Sequence, residues 1–387
     1  MRIVHHAAEV PQRLWEQGFA APLEGRWWYE TLERSGLEDQ FTFLYGVVER
    51  AGTPVALAPM FVADVPIELV VPEELMPLFT LVGRLFPAVL AQRTLFVGSP
   101  CADEGTVGVA PGEDRAEIFA AIAQAMDGVA RRYGALMLVW KDMPQSYCAD
   151  MDRATSRTGL FSSPSYPGAE AQFVSTDKAD FFARMKPSHR QQLKRKLRRS
   201  CEQADLEITV VQSPDGPLMD EIFGLFMQTY DKAATRFERL DLRFFQQVAQ
   251  TPEAHFLMLR HRGDGKLVAF MLLFDLGEAV INKFIGIDYQ RPRDWMLYFR
   301  LTDAAIDWAL GRGAQRLQSG QTGYRVKIEL GHCLTPLFNY ARHRVPPVNW
   351  IYALVARTIS WKTLDPELAH HLATHPENPN AEPGRWG

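Results

Sequence analysis

Hydrophobic and polar positions in the first part of the chain alternate between helical and strand-like periods. Residues 24–35 and 113–134 have the spacing of amphipathic helices, and the second ends in Arg-Arg-Tyr-Gly, a typical helix stop. Two apolar runs flank Arg50-Ala51-Gly52-Thr53, which is the pattern of a β-hairpin. The apolar runs 94–100 and 135–144 predict two further strands, one on each side of the long helix.

The same order of elements returns in the second part of the chain. The pattern predicts a helix over residues 220–233, a hairpin that turns at Arg262-Gly263-Asp264-Gly265, a helix over 295–313 and a strand over 316–320. Because a helix lies between two strands in each part, each part favours a mixed sheet with a parallel crossover. The sequence therefore predicts an α/β protein built from two halves of one fold.

Changes in composition predict where these halves begin and end. Ser, Pro and Gly are frequent over residues 150–170, which indicates a crossover between an N-terminal half, 1–160, and a C-terminal half, 161–363. From Leu364 onward polar residues and prolines dominate, so residues 364–387 are expected to form a disordered tail.

Two apolar features suggest surfaces for a lipid or an acyl chain. Residues 74–92 are the most apolar stretch, but Glu74, Arg84 and two prolines make them a poor membrane span. The aromatic cluster Trp27-Trp28-Tyr29 belongs either to the core between the halves or to the wall of an acyl tunnel. The N-terminus lacks the apolar core of a signal peptide, so we expect a cytoplasmic protein, with the periphery of the inner membrane as a further option.

Composition narrows the class of protein. The 387 residues are 47% hydrophobic and 23% charged with a net charge of −4, so a nucleic-acid partner must use a local basic patch. The four cysteines are widely spaced, which predicts reduced thiols, a reducing compartment and no metal site. No tightly bound cofactor is expected.

One local basic patch is present. Eight cations occur between residues 184 and 199 without an intervening acid: Arg184, Lys186, Arg190, Lys194, Arg195, Lys196, Arg198 and Arg199. Such a segment is either a solvated helix face or the contact for an anionic partner, since unpaired like charges repel one another. The anionic partners that could bind such a basic segment are phosphate-bearing donors, carrier proteins, tRNA and anionic lipid surfaces.

Polar residues at the ends of predicted strands are the candidates for chemistry. Asp288 follows an apolar strand and could act as a general base, or it could cap the turn. Lys283 lies inside that strand, where it is expected to pair with an acid or to sit at the edge of the pleat. Tyr324 and Lys327 lie on one face if their turn is helical and on opposite faces if it is extended. The alternative to a catalytic role is that they belong to a loop whose polar groups cap neighbouring strands.

Three stretches carry a resemblance to a known family: MKPSHRQQLKRKLRRS, INKFIGIDY and TGYRVKIELG, at residues 185–200, 281–289 and 322–331. With the repeated element order, they resemble the tandem acyl-CoA N-acyltransferase (GNAT) superfamily, and within it the Fem-type aminoacyltransferases and FemAB-like acetyltransferase relatives. The resemblance spans residues 165–345 and covers the first half by pattern alone. It implies two GNAT-like mixed-sheet halves and transfer of an activated acyl group to an amine.

The sequence departs from this family at the phosphate-binding loop. CoA-binding members have glycines between the fourth strand and the next helix, whereas residues 289–295 contain none. Arg291 and Arg293 could instead meet phosphates before the helix N-terminus. This departure disfavours free acetyl-CoA and leaves a long acyl-CoA, a carrier-protein thioester or an aminoacyl-tRNA as the donor.

These observations lead to one hypothesis and two alternatives. The hypothesis is an N-acyltransferase that moves an acyl group from acyl-CoA or acyl-carrier protein to a primary amine, with a lipid or cell-envelope acceptor such as a sphingoid base. The alternatives are a tRNA-dependent Fem-type aminoacyltransferase and a non-catalytic binding or peripheral membrane protein. The expected catalytic residues are Asp288, Tyr324 and Lys327, and the expected donor- or substrate-binding residues are Arg190, Lys194, Lys283, Tyr289, Arg291 and Arg293.

Overall fold

The computed structural model describes residues 1–66, 91–156, 158–233 and 238–374. Within these ranges the strands form two mixed sheets. The first contains β1 (Arg2–Val4), β2 (Thr42–Arg50), β3 (Thr53–Pro66), β4 (Ala91–Val97), β5 (Gly108–Val109), β6 (Met137–Pro144), β7 (Phe161–Pro164) and β15 (Leu337–His343). The second contains β8 (Gly168–Gln172), β9 (Leu206–Val211), β10 (Ala254–His261), β11 (Leu267–Asp275), β12 (Ala279–Ile287), β13 (Arg316–Gln318) and β14 (Cys333–Thr335).

The helices of the described chain include all of those predicted above. They are α1 (Gln12–Gly18), α2 (Arg26–Arg34), α3 (Arg115–Tyr133), α4 (Cys148–Thr155), α5 (Lys178–Ala183), α6 (Pro187–Gln203), α7 (Gly216–Lys232), α8 (Leu242–Val248), α9 (Leu297–Gly311), α10 (Tyr324–Glu329), α11 (Pro346–Ala356), α12 (Trp361–Leu364) and α13 (Pro366–Thr374). The basic segment forms α6, and the turn that contains Tyr324 and Lys327 is helical.

Local sequence explains the best-predicted elements. In the β2–β3 hairpin Arg50 pairs with Thr53, and the two turn residues have positive φ, 50° at Ala51 and 79° at Gly52, as a tight hairpin requires. Helix α3 begins where the Asp114 side chain accepts hydrogen bonds from the first turn, and it ends at Gly134 with φ 69°.

Both predicted crossovers are parallel. In the first sheet β4 pairs with β6, with Thr94 opposite Met137, and α3 connects the two strands. In the second sheet β12 pairs with β13, with Ala279 opposite Arg316, and α9 connects them. The prediction of an α/β protein with two GNAT-like mixed-sheet halves is confirmed.

The last long strand does not stay with the second sheet. Strand β15 lies between β6 and β7 in the first sheet, and Tyr340 is paired with Trp140 on one side and with Ser162 on the other. The sheet order is β1-β2-β3-β4-β6-β15-β7 in the first sheet and β14-β8-β13-β12-β11-β10-β9 in the second. The predicted division at residue 160 therefore does not separate the sheets, because β7 and β15 both complete the first one.

The C-terminal segment differs from the disordered tail that the sequence predicts from residue 364. Over Pro366–Thr374 it forms α13, and Leu368 and Leu372 are buried against Tyr324 and Trp361. The apolar side chains at this spacing cover one face of a helix, which explains why the segment folds despite its polar composition. Residues 375–387 lie outside the described residues.

The aromatic cluster of α2 packs between the two halves. The ring of Trp28 lies 5.3 Å from that of Phe274 and 6.1 Å from that of Phe244, and the ring of Trp27 lies 5.1 Å from that of Phe274. These contacts support the packing interpretation over the acyl-tunnel one. Most of the apolar stretch predicted at 74–92 lies outside the described residues, apart from Ala91 and Gln92, which begin β4.

Candidate functional site

A cavity of about 900 Å³ lies between the first sheet, helix α11 and strand β12. One face of the first sheet forms its floor, with side chains from alternate positions of the strands: Thr94, Phe96, Met137, Val139, Lys141, Asn339 and Ala341. Lys283 and Phe284 of β12, Gln321 and Glu238, which precedes α8, also line the cavity. The volume and the mostly apolar lining with a few polar groups are typical of small-molecule sites.

Lys283 reaches this cavity because β12 bulges. Its neighbours Asn282 and Phe284 pair with successive residues of β11, so Lys283 is the extra residue. Its Nζ lies 2.5 Å from Glu24 Oε1 and 3.8 Å from Asp103 Oδ2, and donates to the Cys101 carbonyl at 3.0 Å. Burial alone would lower the pKa of Lys283, but the two carboxylates raise it, so the side chain is a fixed cation.

A second bulge places Lys141 and Asp142 at the same cavity. Two residues of β6 face the single residue Asn339 of β15, and Asp142 has φ 54°, a strained value for a residue other than glycine. The Asn339 side chain accepts the Asp142 N–H at 2.8 Å. Lys141 pairs with the Asp142 carboxylate, which also accepts a hydrogen bond from Ser165 Oγ. A charged network is thus built into a sheet face that is otherwise mostly apolar.

Two further carboxyl groups at the cavity have perturbed pKa values. Burial raises the pKa of Glu238 to about 7, although Lys141 and Lys283 oppose the shift. Burial also raises the pKa of Asp103, against the attraction of Lys283, and its Oδ2 has no hydrogen-bond partner among the described residues. A carboxyl group with a pKa near 7 can accept a proton at neutral pH, which is what a general base requires.

The two residues of the predicted catalytic turn are buried. Lys327 Nζ donates to the carbonyls of Gly320 and Gln321, both at 3.1 Å, and burial lowers the pKa of Lys327 to about 8. Tyr324 is fully buried and its hydroxyl donates to the Pro167 carbonyl at 2.8 Å. Both groups stabilise the turn, as the loop-capping alternative predicts, and only Gln321 from this turn lines the cavity.

Asp288 and Arg291 also lie outside the cavity. The carboxylate of Asp288 accepts the Gln290 N–H at 3.0 Å and Arg291 Nε at 2.9 Å, and Arg291 pairs with Asp264 at 2.8 Å. The structure thus matches the turn-capping alternative for Asp288, and Arg291 is held by two acids away from the cavity lining. Neither residue lines the cavity, so neither is placed to serve there as the base or as a phosphate ligand.

The remaining predicted binding residues lie on the outer surface. Tyr289 makes a cation–π contact with Lys232, whose Nζ lies 3.8 Å from the ring centre. Arg190 donates hydrogen bonds to the backbone carbonyls of Ala183 and Met185. Lys194 and Arg293 are exposed. Of the nine predicted site residues, Lys283 lines the cavity. Lys327 is connected to it indirectly, since its Nζ donates to the carbonyl of Gln321, which is a lining residue.

Sequence reasoning missed Glu24, Asp103, Lys141, Asp142 and Glu238. The Lys-Asp pair inside the apolar run 135–144 is the one signal that could have indicated a site, since charged residues rarely occupy a buried strand. Asp103 and Glu238 lie in connecting segments, where a single acid carries no recognisable pattern. Their pKa shifts depend on burial that only the fold creates.

The surface near helix α9 offers a separate basic region. Helix α6 packs against the turn before α9, with Ser200 Oγ donating to the Trp295 carbonyl at 2.7 Å. The N-cap of α9, Met296, has no side-chain cap, whereas at α3 Asp114 occupies that position. Free N–H groups at a helix start attract anions.

The helices within the described ranges were also compared with the length and hydropathy of a membrane span, and none of them meets both requirements.

A family model named FemAB-like, described as peptidoglycan biosynthesis/recognition, matches residues 99–353. No curated protein sequence matches the chain. Solved structures that share its fold include the following three. FemX is 11% identical with a TM-score of 0.58 and covers 91% of this chain and 100% of its own. A tandem GNAT protein from the clavulanic acid biosynthesis pathway is 13% identical with a TM-score of 0.53, covering 89% and 99%.

The third structure is L-PGS from Bacillus licheniformis, which is 12% identical with a TM-score of 0.51 and covers 92% of this chain and 98% of its own. At these identities the neighbours show the fold, and the family model adds a match over more than half of the chain. The two parallel crossovers, the two sheets and the family match lead to one conclusion: this chain belongs to the FemAB-like family.

Proposed function

We propose that this protein transfers an acyl group from a thioester to a primary amine bound in the cavity, with Glu238 as the general base. The observation that carries the proposal is the Glu238 carboxyl group, whose pKa of about 7 matches the task, at the wall of a cavity of about 900 Å³. A primary amine is protonated at neutral pH and must lose its proton before it attacks. Glu238 is the group in the cavity suited to accept it.

Fixed cations of the cavity support the acyl-transfer step. Attack of the amine on the thioester forms a C–N bond and an oxyanion, and collapse breaks the C–S bond to give an amide, a thiol and one proton. Lys141 and Lys283 line the cavity and their pKa values are raised by neighbouring carboxylates, so both remain cationic as the oxyanion develops. Preorganised positive charge in a partly dry site stabilises such an intermediate.

The lining also favours particular substrates. Apolar side chains make up much of the wall, including Phe96, Val139, Phe161, Val355 and Ile359, which suits an acyl chain or a lipid amine. The acids Asp103 and Glu238 attract an ammonium group. A phosphate-bearing donor, either acyl-CoA or acyl-carrier protein, is supported by the uncapped start of α9 beside the basic helix α6.

The first test is a donor and acceptor panel. Acetyl-CoA, palmitoyl-CoA, acyl-carrier protein and aminoacyl-tRNA are offered with a sphingoid base or a lysyl peptide, and amide products are measured by mass spectrometry. We expect Glu238→Gln to lower kcat/KM about 100-fold. The control is Asp288→Asn, which alters a carboxylate outside the cavity and is expected to keep the activity. An unchanged Glu238→Gln variant would overturn the assignment of the base.

The pH dependence gives an independent readout. A base works only when it is deprotonated, so kcat/KM of the wild-type protein is expected to rise with pH, with a midpoint near the pKa of Glu238, about 7. Below that pH the carboxyl group is protonated and activity falls. The midpoint is expected to disappear in Glu238→Gln, whereas Asp288→Asn is expected to retain it.

An aminoacyl-tRNA donor is the second candidate, and the exposed cations of α6 favour it. Lys194, Arg195, Arg198 and Arg199 project to solvent, while Lys196 is paired with Glu329 at 2.6 Å. If tRNA is the donor, neutralising Lys194 and Arg195 is expected to weaken donor binding and flatten its salt dependence. Transfer from aminoacyl-tRNA alone would establish this candidate, and transfer from no donor would favour the non-catalytic alternative.

A further inference from the structure

Helix α11 exposes large apolar side chains on its outer face. Trp350 is 69% exposed, Ile351 50% and Leu354 51%, and the spacing of these residues places them on one side of the helix. The helix contains no charged residue. Isolated apolar residues are common on protein surfaces, but a contiguous group indicates a contact surface.

Two more exposed apolar residues lie at the same edge of the first sheet. Val345 immediately precedes α11, and Arg344 donates its N–H to the carbonyl of Leu136 at 2.8 Å. Val345 is 42% exposed and Leu136 46%. Of the nine large apolar residues that are exposed in the described chain, five therefore gather around α11. We call Leu136, Val345, Trp350, Ile351 and Leu354 the α11 face.

Cations border the α11 face. Arg131 and Arg132 lie in the last turn of α3, just before Leu136, and Arg357 and Lys362 follow α11. In the described ranges none of these four cations forms an ion pair with an acid, and the nearby Asp127 is already paired with Arg342 at 2.6 Å. An exposed tryptophan with aliphatic neighbours and a basic border fits the headgroup region of an anionic bilayer.

The inner face of the same helix lines the cavity. Tyr352, Val355 and Ala356 form part of its wall, and Tyr352 donates to Gln92 at the start of β4 at 3.3 Å. Thr358 and Thr363, which follow the helix, line the cavity and are also exposed. The cavity therefore opens beside the C-terminal end of α11, next to the apolar face.

We infer that the α11 face lies on the surface of an anionic lipid bilayer and holds the cavity mouth at the level of the headgroups. The helix lies in the interface rather than crossing it, with its aromatic and aliphatic side chains among the acyl chains and the border cations on the phosphates. A lipid-anchored substrate can then enter the cavity without leaving the membrane; this second step rests on the proposed function.

Vesicle flotation tests the inference. Purified protein is mixed with vesicles of phosphatidylcholine alone or with added phosphatidylglycerol, and the floated fraction is measured. We expect flotation with the anionic vesicles, and a loss of at least about tenfold in partitioning for Trp350→Ser/Ile351→Ser/Leu354→Ser. The matched control is Val174→Ser/Ile208→Ser, which removes exposed apolar side chains elsewhere, 81% and 48% exposed, and should float like the wild type.

Charge is tested separately. Arg131→Gln/Arg132→Gln is expected to weaken binding to anionic vesicles and to leave binding to neutral vesicles unchanged, and added salt is expected to have the same effect. Equal flotation of this variant and the wild type on anionic vesicles would overturn the role of the basic border.

Other occupants of the face give different results. A serine variant that turns a dimer into a monomer in light scattering, without vesicle binding by the wild type, would show an interface between copies. A fall in its Tm without vesicle binding would show packing against another part of this chain. Either result, or no flotation of the wild type, overturns the inference. The Glu238→Gln variant should float like the wild type, because the substitution lies in the cavity and not on the α11 face. If the wild-type protein floats but transfers no acyl group, only the proposed function is rejected. If it transfers an acyl group but does not float, only the bilayer contact is rejected.

Discussion

At the scale of single residues, Lys283 links the two halves of the molecule by charge. Its ammonium group comes from β12 of the second sheet, and its partners Glu24 and Asp103 come from the N-terminal half. The Lys283 side chain is 1% exposed and those of the two acids 15% and 21%. Removing one member of a buried charge pair leaves the other without compensation, which is more damaging than losing an exposed pair.

We therefore predict that Lys283→Met lowers the free energy of unfolding by about 3–5 kcal/mol. The double variant Glu24→Gln/Lys283→Met is expected to recover part of this loss, because it removes a stranded carboxylate. The control is Arg50→Gln, which breaks ion pairs with Glu113 and Glu117 that are 54% exposed at the arginine and is expected to lower the free energy of unfolding far less than Lys283→Met does. Urea unfolding measures all three, and equal losses for Lys283→Met and Arg50→Gln would contradict the prediction.

Tyr324 and Lys327 are residues whose contacts could not be predicted from the sequence. The polar cluster in their turn suggested chemistry, and the i, i+3 spacing on α10 does bring the side chains together, with Lys327 Nζ 5.9 Å from the tyrosine ring centre. Their polar atoms, however, point to the backbone carbonyls of Pro167, Gly320 and Gln321. A sequence does not show whether a polar atom faces a cavity or a carbonyl group.

At the scale of elements, the sequence predicted helices and hairpins well where the signal is local. The capped helix α3 and the β2–β3 turn need only their own residues to form. Helix α13 is the contrary case, since its short apolar face becomes stable only against Tyr324 and Trp361. Its start is also tied to α10, because the Glu367 carboxylate accepts the Arg325 N–H at 3.0 Å.

Leu368→Ala tests whether α13 is a structural element. Leu368 is fully buried, so we predict a loss of about 2–4 kcal/mol in the free energy of unfolding from the transfer and cavity terms. Leu136→Ala makes the same chemical change at a residue 46% exposed and is expected to cost less than about 1 kcal/mol. If the two variants unfold alike in urea, α13 does not pack as described.

At the scale of the whole molecule, the chain returns to its first sheet after completing the second. Strand β15 fills the position between β6 and β7, and Phe338 and Tyr340 join the core cluster that α3 covers. The same strand supplies Asn339, which holds the bulge at Asp142. The part of the cavity that the first sheet forms therefore requires residues of β15, which lies near the end of the chain.

A fragment of residues 1–160 is accordingly predicted not to fold by itself. Strand β6 would lack its β15 neighbour and present an open edge with exposed apolar side chains, which favours aggregation. Gel filtration and near-ultraviolet circular dichroism of this fragment, beside the full chain, provide the measurement. A monomeric fragment with a cooperative unfolding transition would contradict the prediction.

The helices, the hairpins, the two parallel crossovers and the family resemblance could be predicted from the sequence, because these features depend on periodicity and turn residues within short windows. Tertiary structure alone decided that β15 joins the first sheet, that Lys283 and Lys141 stand on bulges facing one cavity, and that Glu238 has a pKa of about 7. Strand pairing joins residues far apart in sequence, and a pKa depends on burial and neighbouring charges, so both exist only in the folded chain.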